Sequence, residues 1–422
     1  MSSALPGYDE AAALVAAHAA ELRCRKPVER VDLAHASGRV LATPLRADRD
    51  QPSFARSTRD GYACRAAEAS SHMLLAIAGA TRAGEAPAGP LPPKSAWEIM
   101  TGAPVPSGAD AVMMLEHVDA ADGGVRLLPP RTVAAGENIV PQGAQARAGE
   151  ELVPTGSAIG FAQIALAASC GYAGLKVFAQ PHVAILATGD ELLPVESEPG
   201  PGQIRNSNGP MLAALVTAAG GEPWVLPTAA DSAEALDAAL AQAAESDMLL
   251  ITGGVSAGKF DLVEPALARR GARFHFTGVR MQPGKPLVFG EMPVLTRTDL
   301  NQNQSRTHCC FFGLPGNPVS SAVTFLLFAA PVLAALGGRI DQGPRFALAR
   351  LAADVNGKPG LTRFLPALWT FGTTGGGLPE VVPVEWQGSG DLAAMARCNC
   401  FLVVPENADR LEAGATIRIL LL

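Results

Sequence analysis

A turn rich in glycine follows an apolar run in the middle of the chain, and its residues are of the types that bind phosphate groups. The segment 249–261 reads LLITGGVSAGKFD. Its polar and glycine positions are Gly253, Gly254, Ser256, Gly258, Lys259 and Asp261. Exposed backbone N–H groups and an ammonium group together bind phosphate-like oxygens. The turn is therefore predicted to hold an anion.

This turn also begins like a P-loop, but the match breaks at the position that would bind magnesium. Gly253 to Lys259 spells G-x-x-x-x-G-K, after which a P-loop carries Ser or Thr. Here the next residue is Phe260, which offers no oxygen ligand. A damaged nucleotide-hydrolysing motif is thus disfavoured. A plain strand-to-helix turn with a solvated lysine stays open as the simpler interpretation.

Three further polar turns follow apolar runs in the same region. Asp190 and Glu191 come after the run 182–187, Asp231 lies in the next such turn, and Lys285 stands between two prolines in 283–286. The chain has six lysines, and two of them, Lys259 and Lys285, fall in these turns. Ligands of an open parallel sheet bind at the carboxyl ends of its strands. Taken singly, the first of these turns could be a helix cap and the last a rigid turn.

The elements that carry these turns alternate between strand and helix. From about residue 181, buried strands (182–187, 223–227, 247–252) alternate with helices over 210–221, 233–245 and about 261–270. Such spacing is typical of βαβ units, with a parallel sheet covered by helices on both faces. A strand at 273–281 and an apolar helix after 317 complete this region, while 291–310 is predicted to be an irregular surface loop.

The two flanking regions differ from the central one. A helix is expected over 8–24 and another over 156–171, and between them short apolar runs alternate with Gly and Pro, which predicts β-rich structure. The last 80 or so residues return to short strands and suggest a small β-barrel. At 422 residues, the chain is expected to form two to four domains.

Composition excludes some classes of partner. Apolar residues make up 48% of the chain and charged residues 17%, with a net charge of −7 and no basic cluster. Nucleic acid is therefore not an expected partner. Nor is a membrane, since the best candidate span, 317–337, is interrupted by Pro331. Seven scattered cysteines favour reduced thiols in the cytoplasm. Cys398 and Cys400 alone would not make a structural zinc site.

Several motifs together, in order, resemble one known family. They are STRDGYA, IMTGAPVPSGADAVMMLE, ATGDELLP with GQIRNSN, ITGGVSAGKFD, MQPGKPLVFG, GLPGNPVSSAVTF and QGSGDLAAMARCNCFLVVPE. On the basis of these motifs, the chain resembles the molybdopterin molybdenumtransferases, a family that includes bacterial MoeA and the E-domains of gephyrin and its plant counterpart. The resemblance covers essentially the whole chain.

The resemblance implies a fold and an activity. The fold is multi-domain α/β plus β, with β-rich N-terminal domains (1–178, two interleaved subdomains), a three-layer MogA-like α/β domain with a parallel sheet (179–338) and a small C-terminal β-barrel (339–422). The activity is insertion of molybdenum from molybdate into adenylylated molybdopterin, with release of AMP and assistance from Mg²⁺. Implied partners are these small molecules, a second copy of the chain in a homodimer, a molybdopterin adenylyltransferase and molybdoenzyme apoproteins.

The resemblance also assigns residues to roles. The catalytic set would be Asp60, Thr101, Glu191 and Asp261, of which the first two would line the cleft and reach the site of a second subunit. Molybdopterin and AMP would contact Thr188, Asp190, Asp231, Gly253, Gly254, Ser256 and Gly258. Molybdate would contact Lys285, Ser320, Arg363 and Ser389. Mg²⁺ would contact Asp190, Glu191 and Asp261, because hard oxygen ligands suit this ion.

The chain departs from the family pattern at several of these motifs. Gln282 stands where relatives carry a lysine before the P-G-K turn, Ala144 and Gln145 replace an acidic pair, and Ala55 replaces an aspartate. Two other functions therefore stay open. One is a non-catalytic scaffold or assembly protein of the same architecture, which the lost charges favour. The other is a molybdopterin adenylyltransferase, although that class lacks the flanking domains.

Overall fold

The computed structural model describes residues 5–22, 26–121, 123–254, 262–293, 308–370 and 377–422. In the N-terminal region these form the following elements: α1 (Tyr8–Glu21), β1 (Val28–Asp32), β2 (Leu45–Arg46), β3 (Arg56–Ser57), β4 (Gly61–Cys64), β5 (Leu75–Thr81), β6 (Ser95–Ile99), β7 (Ala111–Met114), β8 (Val118–Ala121), β9 (Gly124–Leu127), β10 (Ile139–Val140), β11 (Glu151–Val153), α2 (Phe161–Ser169) and β12 (Gly174–Phe178).

The N-terminal strands form two groups, one inserted into the other. Strand β1 pairs with β12 and β2 with β11, while β4 to β9 form a six-stranded sheet in the order β7-β4-β6-β5-β9-β8. The second group thus lies between the two halves of the first, as the prediction of interleaved β-rich subdomains requires. Helix α2 begins at Phe161, so the predicted start at 156 is wrong. The side-chain Oε1 of Gln163 accepts a hydrogen bond from the Gly160 N–H at 3.0 Å and so caps the helix there.

The central elements follow in chain order: β13 (His182–Ala187), β14 (Leu192–Leu193), β15 (Ile204–Arg205), α3 (Asn208–Ala218), β16 (Glu222–Val225), α4 (Ala233–Ala243), β17 (Met248–Thr252), α5 (Val263–Arg269), β18 (Arg273–Thr277), β19 (Met281–Gln282), β20 (Val288–Pro293), β21 (His308–Leu314), α6 (Pro318–Thr324) and α7 (Ala330–Leu336). A single π-helical stretch, Phe325–Ala329, joins α6 to α7.

A six-stranded sheet with helices on both faces forms the centre of this region. Its order is β16-β13-β17-β21-β20-β18, and β16, β13, β17 and β21 run parallel. Alternate residues of β13 enter opposite cores, with Val183 facing α3 and α7 and Ala184 facing α4 and α5. Strands buried on both faces need continuous apolar runs, which these are. The predicted three-layer α/β domain is confirmed, with one addition: β20 runs antiparallel to both its neighbours.

The predicted loop over 291–310 is wrong at both ends. Strand β20 extends to Pro293 and β21 begins at His308, whereas 294–307 lie outside the described residues. Cys309 and Cys310 are buried because they continue the apolar run of β21 into the sheet. The polar composition of the middle of this segment hid the two strand ends.

Helix α1 and the run from α6 to α7 fill one face of the sheet. Ala11, Val15 and Ala19 of α1, spaced one turn apart, are buried in the same core as the α7 side chains. The run Pro318–Leu336 is the one helix in the described ranges that is long and apolar enough to cross a membrane, and 83% of its most apolar window is buried. It therefore serves as a core helix of this domain.

The C-terminal strands close into a barrel. The elements are β22 (Phe346–Leu351), β23 (Val355–Asn356), β24 (Thr362–Thr370), β25 (Glu380–Pro383), α8 (Leu392–Arg397), β26 (Cys400–Val404), β27 (Arg410–Leu411) and β28 (Thr416–Leu421). The order β24-β25-β22-β28-β26 returns to β24, which confirms the predicted small barrel. Strand β19 of the central region pairs with β24 and so joins the two regions. The domain boundaries at 178 and 338 stay predictions.

Candidate active site

A cavity of about 250 Å³ opens at the carboxyl ends of β13, β17 and β21, where the sequence placed its polar turns. The residues that line it are Thr188, Gly189, Glu191, Asp231, Gly253, Gly254, Pro286, Pro315 and Gly316. A β-bridge between Thr188 and Ala229 holds two of the turns together. Parallel strands that end at one edge therefore bring three of the predicted turns to a single site, and the 283–286 turn joins them at the start of the antiparallel strand β20.

The glycine turn after β17 takes a backbone path that other residues do not adopt easily. Gly253 and Gly254 have φ angles of +91° and +60°. A Cβ added to Gly253 would lie 2.4 Å from the backbone oxygen of Thr188, and one on Gly254 would lie 2.9 Å from Thr188 Oγ1. Glycine is needed here because the turn packs directly against the end of β13. Ser256, Gly258, Lys259 and Asp261 of the predicted set lie outside the described residues.

The acidic side chains of the cavity act on one another. The backbone N–H of Asp231 donates a hydrogen bond to Asp190 Oδ1 at 3.0 Å. Burial raises the pKa of the Asp231 carboxyl above its ordinary value, and the charges of Asp190 and Glu191 raise it further, while a hydrogen bond from the Asp190 backbone opposes the shift. The site thus concentrates negative charge that a bound cation would relieve.

These groups fit a hard divalent cation such as Mg²⁺. The donors are carboxylate oxygens, which Mg²⁺ prefers, and the pKa of Asp231 is raised first by burial and then by the charges of Asp190 and Glu191. The Thr188 hydroxyl, buried at the rim of the same cavity, makes no hydrogen bond with the residues that the structure describes. Its Oγ1 is a further oxygen available for a bound group.

A second cavity, of about 230 Å³, lies on the other side of two prolines. Its lining residues are Met281, Gln282, Pro283, Gly284, Lys285, Pro286, Pro315, Asn317, Ser320, Trp386, Gly388 and Ser389. Lys285, Ser320 and Ser389, three of the four predicted molybdate residues, are all among them. Lys285 is exposed and Ser320 is buried, so the cavity combines a solvated cation with a fixed hydroxyl.

The hydroxyl of Ser389 is oriented by a residue that the sequence did not single out. Asn317 Nδ2 donates a hydrogen bond to Ser389 Oγ at 2.9 Å, and the Val319 N–H donates to the Ser389 backbone oxygen at 3.0 Å. Because Ser389 Oγ accepts from Asn317, its own proton stays available for a ligand. The turn after β25 is thereby fixed against the start of α6.

Arg363 contacts this cavity through Gln282. Its Nε donates a hydrogen bond to Gln282 Oε1 at 3.1 Å, and its Nη1 donates to the Asn356 backbone oxygen at 2.7 Å. The two residues are direct neighbours in the β19–β24 pairing. Burial lowers the pKa of the Arg363 guanidinium. Arg363 is absent from the described lining residues, so its expected direct contact with molybdate stays a prediction.

Two adjacent cavities therefore share one wall. Pro286 and Pro315 line both of them. The first cavity offers carboxylates and a glycine turn, and the second offers an ammonium group and hydroxyls. A ligand that occupies the first can extend a reactive end toward an oxyanion held in the second.

Asp60 and Thr101 form an exposed pair on the inserted N-terminal sheet. The backbone N–H and the hydroxyl of Thr101 donate to Asp60 Oδ1 at 2.6 and 2.8 Å. These bonds lower the pKa of the Asp60 carboxyl. Among the described residues that line the two cavities, neither Asp60 nor Thr101 appears, so the fold of one chain does not bring them to the site.

Family models account for almost all of this architecture. The model described as "MoeA N-terminal region (domain I and II)" matches residues 7–171. The "Probable molybdopterin binding domain" matches 184–335, and the "MoeA C-terminal region (domain IV)" matches 348–422. A molybdopterin molybdenumtransferase of Nostoc sp. is 33% identical, with 99% of this chain and 94% of the relative covered.

The chain belongs to the MoeA family.

Other relatives agree with this assignment. A molybdopterin molybdenumtransferase of Staphylococcus aureus is 32% identical, with 94% of this chain and 91% of the relative covered. The crystal structure of the molybdopterin biosynthesis MoeA protein from Pyrococcus horikoshii OT3 matches with a TM-score of 0.78 at 27% identity, covering 99% of this chain and 100% of that one. The MoeA fold thus extends over the whole chain.

Three polar residues of this MoeA site escaped the sequence analysis as site residues. They are Asn208, Asn317 and Gln282. Gln282 accepts the hydrogen bond from Arg363 described above, and Asn208 Nδ2 donates to Thr252 Oγ1 at 2.8 Å and to the Gly316 oxygen at 2.7 Å. Asn208 and Asn317 stand in motifs quoted for the resemblance, where prolines and glycines suggested only turns. The signal that could have found them is the amide side chain itself, since an amide beside a turn can donate to nearby hydroxyl and backbone oxygens.

Proposed function

We propose that this chain is a molybdopterin molybdenumtransferase that moves molybdenum from molybdate to adenylylated molybdopterin, with release of AMP. The observation that carries the proposal is the wall of Pro286 and Pro315 shared by the two cavities. The adenylylated molybdopterin would occupy the cavity of Gly253, Gly254 and Asp231, and molybdate the cavity of Lys285. The two reactants would then lie next to each other at these two prolines.

The oxyanion cavity suits a tetrahedral dianion. Lys285 supplies a positive charge, and the hydroxyls of Ser320 and Ser389 supply donors from two different domains. Asn317 keeps the Ser389 proton directed away from itself and toward the ligand. Charge-assisted hydrogen bonds of this kind are stronger than neutral ones. The hydroxyls of Ser320 and Ser389 would therefore orient the dianion, and the positive charge of Lys285 would attract it.

The other cavity suits the phosphoanhydride. Backbone groups of the glycine turn at Gly253 and Gly254 can approach phosphate oxygens, because no side chain stands in the way. Asp190 and Glu191, with Asp261 outside the described residues, would hold Mg²⁺. Mg²⁺ held by these residues would neutralise negative charge on the phosphates. Thr188 Oγ1 would complete the oxygen set at this end.

The remaining proposals concern the assembly. A homodimer would bring Asp60 and Thr101 of one chain to the cavities of its partner, since within one chain they lie elsewhere. The cytoplasm is the proposed location, in keeping with buried thiols such as Cys400, whose pKa burial raises to about 12. A molybdopterin adenylyltransferase upstream and molybdoenzyme apoproteins downstream are the proposed protein partners. The domain boundaries proposed are 1–178, 179–338 and 339–422.

The experiment compares Lys285→Ala with Lys176→Ala. Purified protein is given adenylylated molybdopterin, molybdate and Mg²⁺, and both AMP release and activation of a molybdenum-free apoenzyme are measured. Removal of the ammonium group from the dianion is expected to weaken apparent molybdate affinity roughly ten- to hundredfold, equivalent to about 1.5–3 kcal/mol. Lys176 is an exposed lysine on β12, and its removal should change nothing.

Three outcomes would argue for another function. ATP consumption with formation of the adenylylated molecule would identify an adenylyltransferase. Binding of the adenylylated molecule without any AMP release would favour a scaffold. Equal molybdate dependence of Lys285→Ala and the unaltered chain would remove the second cavity from the mechanism.

A further inference from the structure

Two histidines and a glutamate, none of them among the described lining residues of either cavity, converge on one point. His18 lies on α1, His275 on β18 and Glu291 on β20. One ligand atom from each falls within 4.8 Å of the other two. In the described part of the chain, no other three potential ligands of this kind gather as closely.

The individual distances suit a small metal ion. His18 Nε2 lies 3.7 Å from Glu291 Oε1, and His275 Nε2 lies 3.7 Å from Glu291 Oε2. Ligand atoms around a tetrahedral zinc ion, each about 2.0–2.1 Å from the metal, are about 3.3 Å apart. The two contacts go to different oxygens of Glu291, and the group, which spans up to 4.8 Å, would contract by up to about 1.5 Å around one ion.

In the described part of the chain, the buried His275 Nε2 makes no hydrogen bond, and Glu291 Oε2 lies 3.7 Å from it. A buried polar atom without a partner is costly, and a bound ion would remove that cost.

The backbone explains why His275 points to this place. The pairing of β18 with β20 shifts register between Phe274 and Phe276, so His275 stands in a bulge outside the regular ladder. A bulge redirects the side chain it carries. The ring also packs against Phe289, with centroids 4.8 Å apart, which fixes its orientation.

A thiol on the adjacent strand lies beside this group. Cys310 of β21 is the direct register partner of Glu291, and its Sγ lies 3.5 Å from His18 Nε2. Histidine, carboxylate and thiolate are all zinc ligands. The same set would also accept Co²⁺, Ni²⁺ or Cu²⁺.

We propose that His18, His275 and Glu291, with Cys310 or a water as fourth ligand, form a site for Zn²⁺ or a similar divalent transition metal that fastens α1 to the central sheet. The ion would link the N-terminal helix to two strands that are more than 250 positions later in the chain. Its role is structural and independent of the proposed transfer reaction.

The test is a titration of the metal-stripped full-length protein with Zn²⁺ by calorimetry and with Co²⁺ by visible absorption. We expect one site per chain with micromolar or tighter affinity, and a rise in the unfolding midpoint on binding, because the ligand stabilises only the folded chain. His275→Gln and Glu291→Gln should each weaken binding by at least about tenfold. Cys310→Ser shows whether the fourth ligand is the thiol or water.

The matched control is His182→Gln. His182 Nδ1 lies 3.4 Å from Glu222 Oε2 in an exposed pair on β13 and β16, and its loss should leave binding unchanged. The proposal would be overturned if the unaltered protein gave neither a Zn²⁺ binding signal nor a Co²⁺ spectrum. It would also be overturned if His275→Gln bound the metal as tightly as the unaltered protein. If a variant fails to fold, nitrogen couplings in the Cu²⁺ EPR spectrum of the unaltered protein still decide whether imidazoles bind the ion.

Discussion

At the scale of single residues, Gln282 shows how a substitution in a family motif is accommodated. The family pattern that the sequence resembles implies a lysine here, and a glutamine leaves the proposed oxyanion cavity with one cation fewer than that pattern. The structure gives the glutamine a different contact: its Oε1 accepts a hydrogen bond from Arg363 Nε at 3.1 Å. The lost charge is thus replaced by an interaction that fixes the orientation of a neighbouring guanidinium.

Replacing Gln282 by lysine should strengthen molybdate binding but lower the stability of the folded chain. Gln282→Lys is expected to tighten molybdate binding by up to about fivefold, equivalent to about 1 kcal/mol for a partly exposed charge. The same change should lower the unfolding midpoint without molybdate, since it places an ammonium group beside Arg363. Molybdate titration and thermal unfolding measure the two effects. Gln282→Met, which loses only the hydrogen bond, should show the second effect without the first.

Asp231 gives a prediction about pH. Its carboxyl has a pKa raised above 3.8 by burial and by Asp190 and Glu191, so the folded chain binds this proton more tightly than the unfolded chain. The free energy of unfolding therefore falls as pH rises from 3.8 through the raised value and stays lower above it.

Asp231→Asn should accordingly raise the unfolding midpoint at neutral pH in the absence of Mg²⁺, and the gain should shrink toward pH 3.8. Thermal unfolding across the pH range measures it. Glu198→Gln, in an exposed turn, serves as the control. A midpoint lowered at neutral pH by the asparagine would show that the charge repulsion inferred for this cavity is absent.

At the scale of elements, the glycine turn after β17 is shaped by its contact with the end of β13. Gly253 has a φ of +91°, and a Cβ added to it would lie only 2.4 Å from the backbone oxygen of Thr188. Strand ends and turn are thereby fixed relative to each other before any ligand binds. This prior arrangement would allow backbone groups to serve as the proposed phosphate-binding surface.

Gly253→Ala should therefore cost at least about 2 kcal/mol of unfolding free energy, the sum of backbone strain and steric overlap. Gly149→Ala is the matched control, because Gly149 has a φ of +79° but open space around it. It should lose only about 1 kcal/mol from the backbone. Chemical denaturation measures both, and equal losses would mean that the contact with Thr188 contributes nothing.

At the scale of the whole molecule, the separation of Asp60 and Thr101 from both cavities is the most consequential feature. Their mutual hydrogen bonds hold Asp60 ionised on the exposed inserted sheet. An exposed carboxylate such as that of Asp60 can act only on a molecule that approaches this sheet from outside. In a homodimer, that would be the site of the second chain.

Mixing two inactive variants tests this arrangement. At a molybdate concentration too low for Lys285→Ala, dimers of Asp60→Asn and of Lys285→Ala should each lose activity, but mixed dimers would contain one intact site made from the undamaged halves of both chains. After random exchange of subunits, about a quarter of the sites should be intact. AMP release from the mixture measures their number. A mixture as inactive as its components would place each complete site within one chain.

Much of the fold followed from the sequence because it depends on local patterns. Continuous apolar runs marked β13 and β17, which are buried on both faces, and alternation with helices gave the layered sheet. The glycine and acidic turns at 188–191, 231 and 253–254 could be placed at one edge, since parallel strands end together. The predictions were wrong at the start of α2, where a single capping hydrogen bond sets the helix boundary, and at 291–310, where polar and apolar segments adjoin.

The sequence by itself thus determined the layers, the barrel and the chemical character of each turn, because periodicity and residue type act over a few positions. Only the tertiary structure decided which turns share a wall, how Arg363 is held by Gln282, and that Asp60 lies apart from both cavities. It alone brought His18 to His275 and Glu291. Contacts between distant segments depend on packing across the whole core, and a linear pattern carries no record of them.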